Sequence, residues 1–156
     1  MSLLNQWFSY RQGGCSASAI SRMVRTYKGI IRSMAQRHGY SDPCTMPESK
    51  IQEIYQAEYW NPAGCGQWRS AQMQLVCFDT AVNFGVGGWQ MFSAQGSLRD
   101  GHCYRALPRD EREAARVIVQ WRLEFRDFRV SEAPDQRVFL KGWQNRDNDL
   151  LRKVGG

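Results

Sequence analysis

Wherever this chain carries a long apolar pattern, the repeat is that of a helix. Between Pro108 and Val130, Ala114, Ile118, Trp121, Phe125 and Phe128 recur at three- and four-residue steps, with Arg, Glu and Asp opposite. A 3.6-residue period gathers such positions into one stripe of an α-helix, whereas a strand would need strict alternation. The pattern returns after Pro134, where Phe139, Trp143, Arg146 and Leu150 align. No stretch alternates at period two, and neither an internal repeat nor a low-complexity linker interrupts the chain. An all-α fold follows.

Punctuation divides the rest into helices. Leu3, Leu4, Trp7 and Phe8 predict a short N-terminal helix stopped by Gly13-Gly14, a second pattern begins near Ser18, and Gly29 to Arg37 predicts a helix closing at Gly39. In "TMPESKIQEIYQAEYW" the order Thr45, Pro47, Glu48 is a helix start, and Ile51, Ile54, Tyr55 and Tyr59 share one face. "NPAGCG" breaks that helix. "SAQMQLVCFDTAVNFG" restarts with Ala71, Leu75, Phe78 and Val82 on one side and Gly85 as the stop. At 156 residues the chain suits a single domain, read as a lobe over 1–92 and a helical lobe over 93–156 in one compact unit.

The formal charge of +6 favours an anionic partner, such as nucleic acid, a membrane surface or a bacterial wall polymer. The basic residues are dispersed with no Lys/Arg block, so nucleic acid gains no motif. Five cysteines form no CxxC pair and have only His38 and His102 as companions. They read as reduced thiols of a protein made in the cytoplasm, and no structural metal or cofactor is expected. The N-terminal apolar patch is too short for a signal h-region, and no run approaches the ~20 apolar residues of a membrane span. On this reading the chain has no signal peptide, and something else carries it if it leaves the cytosol.

Three segments, "IYQAEYWNPAGC", "FDTAVNFG" and "VFLKGWQNR", lie in an order that resembles glycoside hydrolase family 108. Its members are phage and prophage endolysins acting as N-acetylmuramidases, and the resemblance implies a lysozyme-like helical domain followed by a helical peptidoglycan-binding region. "RDGHC" adds a weaker likeness to the family's "DG" turn. The N-terminal third departs most. There the family carries an "E-G-G-Y" motif with the catalytic glutamate, and fourteen positions later a threonine in "T-x-Y-G-I". Here "QGGC" is followed by "TYKGI", and Gln12 stands fourteen residues before Thr26, in the glutamate's place. The family's Asp- and Gly-rich loop between them is replaced by "SASAISRMVR", a wider change than a single engineered substitution would make.

Glycoside hydrolysis needs a carboxylic acid to protonate the leaving oxygen. Glutamine has the shape of glutamate without the proton, and loss of a general acid removes about 10²–10⁴ of rate. No Asp or Glu occurs before Asp42, so a substitute must come from Glu48, Glu53, Glu58 or Asp79. Asp79 reads either as a buried side chain hydrogen-bonded to backbone or to an arginine, or as a cleft residue. Thr26, Tyr55, Trp60 and Asn83 complete the candidate substrate-binding set implied by the resemblance, Tyr55 and Trp143 reading first as core. Lys141 and Arg146 read as solvated ends of the last helix or as contacts for anionic peptide stems.

The expectation is therefore a degenerate muramidase relative that no longer cleaves and binds peptidoglycan or another virion protein, as a component of a phage particle. The alternatives are an active N-acetylmuramidase with a relocated acid, and a basic protein that binds nucleic acid or a virion partner.

Overall fold

The computed structural model describes residues 26–27, 30–41, 46–93, 98–99, 102–103 and 107–155. The chain forms two compact units, 1–58 and 59–156. The expected border after residue 92 lies inside the second of these.

In the first unit β1 (Thr26–Tyr27) and β2 (Ile30–Ile31) form an antiparallel pair, Thr26 opposite Ile31 and Tyr27 opposite Ile30. The helix expected from Gly29 therefore begins later, as α1 (Arg32–Arg37). Its end is as expected at Gly39, whose φ of 90° is the left-handed turn that glycine takes without steric cost. The Tyr40 amide donates to the Ala35 carbonyl and the Gly39 amide to that of Gln36, the paired bonds of a Schellman stop. The helix α2 (Glu48–Tyr55) buries Ile51, Ile54 and Tyr55. Pro47 precedes it in extended conformation and gives it no side-chain cap. Thr45, the expected cap, lies outside the described residues, as do the two helices expected before residue 26.

A π-helical turn, Gln56–Trp60, is followed by α3 (Asn61–Ala63), so "NPA" continues helical backbone where a break was expected. Pro62 sits in the first turn of α3, where its missing N–H costs nothing. Gly64 at φ 69° ends it, and the 3-10 turn Cys65–Gln67 leads to α4 (Ala71–Ser93). Ser70 caps α4 through its Oγ, which accepts from the Met73 amide at 3.1 Å. A disulfide joins Cys65 to Cys77 and ties that turn to the helix. This corrects the expectation that all cysteines are reduced.

Gly85 does interrupt α4, with φ 79° and ψ 164°, but the glycine-rich "VGGW" after it is helical through Ser93. Beyond it β3 (Leu98–Arg99) pairs with β4 (His102–Cys103). The two-residue pairs are extended backbone that the sequence pattern did not announce, and the architecture is all-α around them.

Asp110 starts α5 (Glu111–Glu132), its Oδ1 accepting from the amides of Arg112 and Glu113. Glu111 accepts from the amides of Arg69 and Ser70, fixing the start of α4 beside that of α5. A 3-10 turn, Pro134–Gln136, leads into α6 (Arg137–Lys153). The helix α5 packs against both α4 and α6. Their core is Val76, Phe78, Phe92, Ile118, Val119 and Leu150, all with at most 1% of their surface exposed. Phe84, Phe92 and Phe125 meet edge to face, each centroid within 5.9 Å of the other two.

Candidate functional site

The second unit holds a buried ionic network. Asp79 of α4 is fully buried; its Oδ2 lies 2.9 Å from Arg122 Nη1 and its Oδ1 2.6 Å from Arg146 Nη2. Asp147 of α6, also fully buried, accepts from Arg122 Nη2 at 2.7 Å and from Nε and Nη2 of Arg126. Thr80 Oγ1 takes a further bond from Arg122 Nη1 at 3.1 Å. Three helices thus each contribute charge to one cluster, in which three guanidiniums share two carboxylates. Buried charges persist only when paired in this way.

Aromatic rings cover the cations. The Arg122 and Arg126 guanidiniums lie 5.1 and 4.6 Å from the Phe84 centroid, and Arg126 is also 5.3 Å from that of Trp143. Asn83 Nδ2 donates to the backbone oxygen of Asp79, one turn back, at 2.7 Å and to its carboxylate at 3.2 Å. Burial pushes the Asp79 carboxyl up, but the adjacent Arg122 and Arg146 outweigh it and hold the carboxyl at about 2. Against the network opens a cavity of about 360 Å³, walled by Phe84, Phe125 and Trp143 with Asn83, Arg126 and Arg129 among its polar members.

The first unit has a smaller, wetter cluster. Glu58 Oε1 meets His38 Nε2 at 3.1 Å and Arg37 Nη2 at 3.3 Å. The His38 hydrogen bond is the largest influence on Glu58 and, with Arg37, lowers its pKa against a smaller opposing push from burial. Among the described residues no group of His, Cys, Asp and Glu is placed to hold a metal ion, and no helix is long and apolar enough to cross a membrane.

A protein-family model, that of glycosyl hydrolase 108, matches residues 7–85, over half of the chain. The chain belongs to this family. No curated protein and no solved structure matches it. The family-108 match contains Gln12, Thr26, Tyr55, Trp60, Asp79 and Asn83 and ends at Gly85, where α4 leaves helical geometry. The arginines that hold Asp79 lie beyond it, in α5 and α6.

Within this family-108 chain Thr26 and Tyr55 belong to the first unit, and Trp60, Asp79 and Asn83 to the second. Gln12 lies outside the described residues. Thr26 stands in β1, not at the entry of a helix. Tyr55 is fully buried, and Trp60 is half-buried with its ring edge to face on Phe78, centroids 5.6 Å apart. Asp79 and Asn83 are brought together by direct bonds. Arg146 points inward to Asp79 rather than solvating the end of its helix, while Lys141 is exposed.

Arg122, Arg126 and Asp147 escaped sequence reasoning. A signal existed: Ala115, Ile118, Val119, Arg122 and Arg126 fall at helical spacing on one face, so two arginines continue an apolar stripe. Charged residues on a core stripe require buried partners of opposite sign.

Proposed function

We propose that this family-108 chain is a muramidase relative that no longer cleaves and instead binds bacterial peptidoglycan, as the wall-contacting part of a phage particle. The observation that carries the reading is Gln12, an amide at the position where the family's motif has its proton donor.

The state of three other carboxylates supports it. A general acid must hold its proton near neutral pH, which requires a raised pKa. Asp79 is held at about 2 and its oxygens are spent on two arginines; Glu58 is also lowered. Glu111, whose oxygen is held by two backbone amides, is lowered as well. A relocated acid would need the opposite environment. The dispersed positive charge of +6 suits an anionic wall polymer.

Incubation with purified sacculi tests the reading. Co-sedimentation without a fall in turbidity is the expected result, and clearing of the suspension that Gln12→Ala or Asp79→Asn abolishes would sink it.

A further inference from the structure

Among the described residues the large apolar side chains left exposed are Phe128, Val138 and Phe139, and all three lie close to the turn between α5 and α6. Single exposed apolar residues need no explanation, whereas a group of them marks a contact surface. Val138, in the first turn of α6, is the most open at 78%. The charges around it form a row. Asp135 lies three residues before it, in the Pro134–Gln136 turn that runs directly into α6, and Lys141 three residues after it. Residues three apart sit on one side of such backbone, so the row reads acid, valine, base.

Both ends of the row are exposed. Asp135 accepts from the neighbouring Gln136 side chain at 3.4 Å, and among the described residues neither it nor Lys141 has an ion-pair partner. Gly142, one turn beyond Val138, is exposed and helical, and a side chain there would meet no atom within 4 Å. Packing among the described residues gives no reason for glycine at this point, where it weakens the helix. A second helix laid across the surface does, since bare backbone allows the closest approach.

We propose that this face of α6 binds a second copy of the chain, the two α6 helices crossing at Val138 about a two-fold axis. Such an axis reverses the row onto itself. Each Asp135 then comes opposite Lys141 of the other copy, Val138 meets Val138, and Gly142 makes room for the crossing. The occupant is a copy because the row carries one charge of each sign in an order that its own reversal complements; an anionic polymer or lipid surface would meet Asp135 as a repelling charge. The pairing goes beyond the wall-binding reading and does not depend on it.

Sedimentation equilibrium of the full chain over a range of concentrations tests the pairing. A concentration-dependent dimer of twice 18.0 kDa is expected. Val138→Asp sets two carboxylates at the axis and is expected to weaken association at least about tenfold, because two-fold symmetry makes each change count twice. An acid in the first turn suits the helix dipole, so the fold tolerates it. Lys141→Asp is expected to weaken the dimer, and adding Asp135→Lys to restore it with the net charge of the wild type. Gly142→Gln should raise the melting temperature while weakening association. A chain monomeric at every concentration, a dimer that survives Val138→Asp or Gly142→Gln, or a Lys141→Asp loss that the second exchange leaves unrestored overturns the proposal. A monomer that sediments with anionic lipid vesicles, and ceases to in Val138→Asp, overturns it in favour of a membrane surface. Sacculus co-sedimentation keeps the two readings separable: a monomer retained on sacculi overturns the pairing alone, and a dimer that is not retained overturns the wall-binding reading alone.

Discussion

Asp79 and Glu58 are both carboxylates beside arginines, both held toward the ionised form, and both on offer to a chain that has glutamine at position 12. They differ in burial. Asp79 has no exposed surface and answers to two guanidiniums fixed by α5 and α6, whereas Glu58 keeps 29% of its side chain exposed and Arg37 keeps 59%. Water screens the second pair and does not reach the buried Asp79 carboxylate, so similar chemistry carries very different energies. The buried site is built as structure, and its carboxylate stays ionised at neutral pH.

The largest effects belong to the buried network. Asp147→Ala would leave Arg122 and Arg126 without their shared anion and is expected to cost about 3–5 kcal/mol, lowering the melting temperature by roughly 10 °C. A melting scan showing only a small change would break the contrast. The network also fixes the response to acid. Because the folded Asp79 carboxyl lies at about 2, below its ordinary 3.8, its contribution is complete above about pH 4 and is lost as pH falls through about 2. That difference is worth roughly 2 kcal/mol, and Asp79→Asn should flatten this part of the stability curve measured by denaturant titration.

Next come covalent and backbone restraints. The Cys65–Cys77 bridge closes a loop over a separation of 12 residues, so the Cys65→Ala, Cys77→Ala pair is expected to cost about 3 kcal/mol. Mass spectrometry of the alkylated, unreduced chain should find both thiols blocked to reagent. Two neighbouring glycines then give effects of opposite sign. Gly85→Ala forces a side chain into φ 79°, ψ 164° and should cost about 1–3 kcal/mol, although open space surrounds the site. Gly87→Ala, also in open space but in helical backbone, should stabilise by about 0.4–1 kcal/mol. The smallest change expected is Glu58→Gln, less than ~1 kcal/mol and reduced further by salt.

What was legible in the sequence tracks where local physics decides. The long helices α4, α5 and α6 follow from their apolar period, and Gly39 ends α1 because only one residue type takes that turn freely. Family membership was legible in "IYQAEYW" and "FDTAVNFG". Partner choice was not. Nothing near "FDTAVN" specifies that Asp79 meets Arg122 and Arg146, 43 and 67 residues onward, because that pairing comes from how three helices cross. The disulfide was hidden for a similar reason, since Cys65 and Cys77 are brought together by the turn that leads from the 3-10 segment into α4. The helical "VGGW" ran against glycine's low propensity and is held by packing of the buried Trp89 and Phe92.

The proposal that this family-108 chain no longer cleaves is measured most directly by release of reducing sugar ends from sacculi. The wild-type chain should release none above background while remaining bound to the wall. Release by the wild type at the level of an active muramidase, falling to background in Gln12→Ala, would contradict the account.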